Sequence, residues 1–298
     1  MSLHPREGPD VAPDPRGPLL PFRWMDTLWV QVTGTLCNIA CQHCFISCGP
    51  RATQIPVMDV EDVQRALEQG RDAGMRHVYF TGGEPFLHPE LQALVTRALD
   101  VAALTIVTNG ILLDDDTVRW LAGAFERSRY ALDLRVSLDG MTEAQNDRVR
   151  GRGTFALIVA ALKRLGASGF SPVVTVVEHE VGLEGAEART RFLDFVRSLG
   201  IRQPRVKFLP LLHIGREARR SEGYRDSLGD EALLPAVQSG LLCATGRCVT
   251  AQGVYTCPIL VEDASARLGG SVAEASRDLR LGWAACQTCV LDGLRCNT

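Results

Sequence analysis

The strongest chemical signal in the sequence is three thiols within the eight residues Cys37-Asn38-Ile39-Ala40-Cys41-Gln42-His43-Cys44. Spaced C-x3-C-x2-C, they cannot all point one way from a regular helix or strand. A loop can wrap them around one centre, which suits thiolate ligation of an iron–sulfur cluster. Three ligands on a four-iron cube leave one iron open, and an open iron calls for a small-molecule ligand. A zinc site, or a cluster that only passes electrons, would use the same thiols. Further on, Thr81-Gly82-Gly83-Glu84-Pro85 combines a carboxylate with two glycines, which permit unusual backbone angles and close approach of a ligand. A plain strand-to-helix turn would use the same residues. Cys48 sits beside the first thiol group, and Cys243, Cys248, Cys257, Cys286, Cys289 and Cys296 form a second group near the C-terminus. Ten cysteines in a chain without a visible export signal need a reason other than disulfides. Their division into two groups argues for two metal centres.

The elements around these residues alternate. Strand-like runs are expected at Leu28–Val32, His77–Thr81, Leu104–Thr108, Leu132–Ser137, Val173–Val177 and Arg205–Pro210. Between them lie helical patterns: one begun by Asp59 with Val60, Val63 and Leu67, then Leu91–Leu99, Asp114–Phe125, one capped by Thr154 and stopped by Gly166, and Arg189–Leu199. Repeated βα units with short connections predict a curled parallel sheet with crossover helices outside, and the unbroken apolar run Val173–Val177 reads as a strand buried on both faces. Sites in such folds sit at the C-terminal ends of the strands, where the cysteine loop, the Gly-Gly-Glu turn, Thr108-Asn109-Gly110 and Ser137-Leu138-Asp139-Gly140 all fall. Residues 1–22, with six prolines, read as a surface tail; 213–240 as a polar connector marked by Arg216, Arg219, Arg220 and Gly223; and 241–298 as a segment too small to bury much core without metal.

The cysteine triplet followed by Gly82-Gly83-Glu84 resembles the radical S-adenosylmethionine (radical SAM) superfamily. That resemblance implies a partial (β/α)6 barrel over 23–212, a [4Fe–4S] cluster on Cys37, Cys41 and Cys44, and SAM on the open iron. Gly82, Gly83 and Glu84 would bind the methionyl ammonium. Thr108, Asn109, Ser137 and Asp139 would approach the methionyl or ribose groups or the substrate, and Arg150 the SAM carboxylate. His43 stands where relatives often carry an aromatic residue against the adenine, and its ring could stack similarly. Cys243-x9-Gly253-x3-Cys257 followed by Cys286-x2-Cys289 resembles the twitch appendage, the short form of the SPASM domain, with the glycine-to-cysteine gap one residue shorter than usual. By that resemblance Cys243, Cys257, Cys286 and Cys289 hold an auxiliary [4Fe–4S] cluster, four thiolates that would suit structural zinc equally. Cys48, Cys248 and Cys296 are then spare, and Cys296 could replace one of the four.

A net charge of −3 with no basic tract gives no reason to expect a nucleic-acid partner. No apolar run is long enough to span a membrane, and no signal peptide is visible, so a cytoplasmic place is expected. Peptide maturases with SPASM domains often carry a leader-recognition domain, and the stretch before the first strand holds only the proline-rich tail, which favours a small substrate. Compact twitch enzymes resemble those acting on aminocyclitols and aminoglycosides in antibiotic biosynthesis, the neomycin epimerase among them. The expectation is therefore hydrogen abstraction from a sugar carbon by the 5′-deoxyadenosyl radical, epimerisation with Cys248 as hydrogen-atom donor, and a reductant such as flavodoxin or ferredoxin. Dehydrogenation through the auxiliary cluster, or maturation of a ribosomal peptide, is the alternative.

Overall fold

A computed structural model describes residues 17–178, 185–225 and 240–296. Most of the proline-rich stretch and much of the connector lie outside them. Six parallel strands follow one another in chain order: β2 (Thr27–Gln31), β3 (His77–Thr81), β4 (Ala103–Thr108), β5 (Leu132–Ser137), β6 (Val173–Val177) and β7 (Arg205–Leu209). Helices α1 (Val60–Asp72), α2 (Leu91–Leu99), α3 (Asp115–Arg127), α5 (Thr154–Ala167) and α6 (Ala186–Ser198) make the crossovers. This α/β architecture is the partial TIM-like barrel that the alternating pattern predicted.

The strand alternation divides the core. Leu28, Val30, Val78 and Phe80 face the helices and pack with Val63, Leu67 and Leu94. The residues between them point to the other face, where Trp29 stacks on Tyr79 with ring centroids 4.1 Å apart and packs with Cys37, Ile46, Cys248 and Tyr255. One face of the sheet thus holds the crossover layer, and the other leads up to the cysteine loop.

Several features differ from expectation. Helix α4 (Glu143–Arg150) has too few apolar positions to be recognised from periodicity, and is fixed instead by Thr142, whose hydroxyl accepts from Gln145 N at 3.3 Å. The residue preceding α5 is Gly153, with φ +81°, rather than the expected capping Thr154, which lies in the first turn. Asp59 precedes α1 without a side-chain cap bond. The C-terminal region does not stand apart: β8 (Gly246–Thr250) pairs parallel with β2, and β9 (Gly253–Tyr255) and β10 (Arg267–Gly269) extend the sheet beyond it. At the end of the expected tail, β1 (Leu19–Leu20) pairs antiparallel with β11 (Leu279–Arg280), and Leu20 is buried. No helix among the described residues is long and apolar enough to cross a membrane.

Candidate functional site

The loop leaving β2 closes on itself through a parallel bridge between Leu36 and Gly49. Its clamp comes from far along the chain. Arg216 Nη1 donates to Cys41 O at 2.6 Å, and Nη2 donates to Cys48 O at 2.5 Å and Ser47 O at 3.1 Å, while Arg216 N donates to Cys44 O at 2.9 Å. Gly215 makes this approach possible: it adopts φ +62°, and a Cβ there would stand 2.4 Å from Phe45 O. Arg216 read as a marker of a polar connector, and nothing in the local sequence reports its partners. Arg216→Ala would strand three carbonyls and remove charge-assisted bonds; we expect a stability loss of about 3 kcal/mol. Iron at the first cysteine group should weaken roughly 10- to 100-fold, as when other supporting contacts of metal ligands are lost. Denaturant unfolding and iron content after reconstitution check the two parts.

Each sulfur of the triplet receives an N–H donor. Asn109 Nδ2 reaches Cys37 Sγ at 3.7 Å, Arg150 Nη1 reaches Cys41 Sγ at 3.9 Å, and Cys48 N reaches Cys44 Sγ at 3.3 Å. Burial pushes the Cys37 thiol up to about 12 and the Cys41 thiol up to about 11. Cys44 is lowered to about 6, chiefly by the hydrogen bond from the Cys48 thiol. Cys48, otherwise a buried packing residue, therefore supports the triplet.

The Gly82-Gly83 turn is pressed against this loop. Gly82 adopts φ +129°, and a Cβ on it would stand 2.5 Å from Thr33 Oγ1; on Gly83 it would stand 2.0 Å from Leu36 O. Glu84 N donates to Leu36 O at 3.0 Å, locking the two turns together. Glu84 itself is fully buried. Its carboxylate accepts from Thr108 Oγ1 at 2.7 Å, Asn109 N at 2.8 Å and Phe86 N at 3.2 Å, so it joins the ends of β3 and β4. Burial raises it to about 7, against the lowering effect of those bonds.

Asp139 is also fully buried. Its Oδ1 accepts from Val177 N at 2.9 Å, while Oδ2 stands 2.6 Å from His43 Nε2 and 2.8 Å from Arg150 Nε. Burial would push this carboxyl up, but the charge of Arg150 and the bond from His43 outweigh it and hold it well below the usual range. These contacts tie three of the expected site residues to one another: the Asp139 carboxylate forms a buried ion pair with Arg150, and His43 stands within hydrogen-bond distance of the same oxygen. Ser137 lies one layer below Asp139 and pairs with Thr175 across the ladder.

At the C-terminal group, Cys243, Cys257, Cys286, Cys289 and Cys296 line a single cavity with Leu241, Thr256, Ile259, Leu281 and Leu294. The cavity is partly open to solvent. The four expected ligands and the spare Cys296 are thus brought together, and Cys248 is not among them. Cys248 lies in mid-strand on β8, fully buried, in register with Trp29 and Tyr255, and burial raises its thiol. Among the described residues no three His, Cys, Asp or Glu side chains are drawn together closely enough for a single metal ion.

Comparison with known proteins bears directly on this arrangement. Residues 32–196 match the Radical SAM superfamily, more than half of the chain and the whole region from the cysteine loop to α6. The chain belongs to the radical SAM superfamily. It is 30% identical over 255 residues to the mycofactocin maturase MftC of Mycobacterium tuberculosis, covering 76% of this chain and 63% of that protein. It is 31% identical over 149 residues to the PqqA peptide cyclase of Gluconobacter oxydans, 48% of this chain and 39% of that one. The chain therefore spans less than two thirds of the length of these curated relatives. Among solved structures, SuiB of Streptococcus suis bound to the precursor peptide SuiA shares the fold, with a TM-score of 0.60 at 17% identity over 83% of this chain and 62% of that one.

A [4Fe–4S] cluster and SAM are the cofactors of this superfamily, and its SPASM and twitch members carry auxiliary clusters. The residues present fit these groups. The first site offers three thiols, each with an N–H donor, on a loop against which the Gly82-Gly83 turn packs too closely to admit a Cβ. The second offers five thiols in a cavity otherwise lined by apolar residues and Thr256.

Proposed function

We propose that this protein is a radical SAM enzyme that modifies a peptide substrate. Cys37, Cys41 and Cys44 would hold the SAM-binding cluster, with Gly82 and Gly83 giving the methionyl end its backbone cradle. Four of the five C-terminal thiols, with Cys243, Cys257, Cys286 and Cys289 as the first choice, would hold an auxiliary [4Fe–4S] cluster. When bound, the reduced cluster and SAM together supply a one-electron cleavage whose carbon radical removes hydrogen from unactivated C–H bonds.

The chain's own part is positioning. Arg216 fixes the loop that carries the triplet. The donors on its sulfurs set how readily the cluster takes an electron. Glu84, committed at both oxygens to the backbone amides of Phe86 and Asn109 and the Thr108 hydroxyl, holds the cradle at the strand ends rather than offering a vacant carboxylate. The trio of His43, Asp139 and Arg150 braces the ends of β5 and β6 against the loop.

The observation that carries the substrate class is the sequence likeness to relatives named as a maturase and as a peptide cyclase. It replaces the expected epimerisation of an aminoglycoside, which the comparisons do not support. Cys248 adds no support either, since it belongs to the packed wall of Trp29, Tyr79 and Tyr255. The test is anaerobic incubation of the reconstituted protein with reductant and SAM, against short peptides encoded beside its gene and, in parallel, against 2-deoxystreptamine and neomycin-type aminoglycosides. Mass spectrometry should find a changed peptide and unchanged sugars. A changed aminoglycoside with unchanged peptides would reverse the assignment.

A further inference from the structure

Three arginines direct their charge at the backbone of the C-terminal cysteine pocket. Arg247 Nη1 donates to Cys243 O at 2.6 Å, Arg295 Nη1 donates to Cys289 O at 2.9 Å, and Arg135 Nη1 donates to Cys296 O at 2.8 Å. The first two belong to the C-terminal region itself. The third comes from β5, on the other side of the sheet order from β8, and enters from the barrel. Arg135 is buried to within 5% of full coverage and its Nε donates to Thr175 Oγ1 at 2.9 Å, so both of its bonds go to neutral oxygens. Lys207, on β7 in register with Thr175, is lowered first by burial and then by the charge of Arg135. Among the described residues, no Asp or Glu lines the pocket.

Arg135 and Arg247 are buried, with Arg295 half-buried beside them, and buried cations facing a wall without carboxylates are costly unless something anionic stands opposite. A cube held by thiolates carries net negative charge, and gains one more on reduction. We propose that Arg135, with Arg247 and Arg295, forms a cationic collar that holds a C-terminal iron–sulfur centre and raises its reduction potential. The inference rests on the reading that this pocket takes a cluster. Arg135 is the member that matters for function, because it ties the centre to the barrel interior: charge placed there biases the centre toward accepting electrons from the barrel side. It is a positioning residue, acting through Cys296 and the field it exerts. A charged residue between Leu134 and Val136 in a buried strand is its only trace in the sequence.

The experiment is a redox titration followed by low-temperature electron paramagnetic resonance, on the full chain with Cys37, Cys41 and Cys44 replaced by alanine so that only the C-terminal centre is read. Arg135→Gln should lower the potential enough to shift the oxidised-to-reduced ratio at fixed potential at least tenfold, about 59 mV for one electron. Arg135→Lys, which keeps the charge, should stay near the parent. An unchanged potential in Arg135→Gln at equal iron content would overturn the inference, and so would Arg135→Lys falling as far as Arg135→Gln. If Arg135→Gln loads no iron, Arg295→Gln decides the matter by the same measurement: the collar predicts a fall there too, and an unchanged potential would overturn it. A parent that binds no iron in this background would overturn the cluster reading, and the inference with it, which sets that failure apart from an unshifted potential.

Discussion

Cys41→Ala abolishes SAM cleavage. With one of the proposed ligands gone, the cube would lose its defined open iron, and 5′-deoxyadenosine formation under reduction should fall to background, at least about a hundredfold below the parent. Cys41 is the informative member because its sulfur faces Arg150 at 3.9 Å and its carbonyl faces Arg216 at 2.6 Å, so it joins the ion pair to the clamp. The C-terminal pocket lies elsewhere in the fold, and its iron should survive. Quantifying 5′-deoxyadenosine by chromatography, with iron content alongside, separates the two. Retained cleavage would mean that the triplet does not hold the cofactor.

Asp139→Asn is the substitution expected to cost the most stability. It leaves the buried Arg150 guanidinium without its counter-charge and puts an amide where His43, Arg150 and Val177 N require acceptors. Breaking one side of a buried pair typically costs about 3–5 kcal/mol, and that loss is expected in urea unfolding at neutral pH. The sign of its pH dependence follows. The folded carboxyl is held below its ordinary value, so the unfolded chain binds a proton more readily in acid. This stabilisation is fully present above the unfolded value near 3.9 and drains away as pH falls toward the folded one. Glu84 runs the other way: raised to about 7, it favours folding most below its unfolded value and loses that contribution as pH rises through about 7. The parent should therefore show a steeper acid limb than Asp139→Asn, in which Asp147 and Asp114, also held low, still contribute. A loss under about 1 kcal/mol would show that the pair is not a structural anchor.

Much of this was legible beforehand where a local pattern has one physical cause. The strands His77–Thr81, Leu132–Ser137 and Val173–Val177 have the bounds their apolar runs suggested, because short runs between turn residues admit little else. The thiol triplet and the two glycines were visible because ligand spacing and Cβ-free turns are written in consecutive residues. What stayed hidden depends on distant partners. Arg216 lies 175 residues from Cys41, and Arg135 lies 161 residues from Cys296. β8 looked like part of a separate appendage because its partner β2 is at the other end of the chain. The ion pair of Asp139 with Arg150 was hidden because a buried carboxylate and an exposed one are the same letter. The substrate class was least legible of all: the cysteines and glycines report the cofactor, and peptide and sugar enzymes share both.

On the proposed function the N-terminal cube keeps one iron for SAM. Low-temperature electron paramagnetic resonance of the reduced protein, recorded with and without SAM in a variant lacking Cys257 and Cys286, tests it most directly. Binding at that iron predicts a clear change in the spectrum of the remaining cluster on adding SAM. An identical spectrum with SAM in excess would contradict the account.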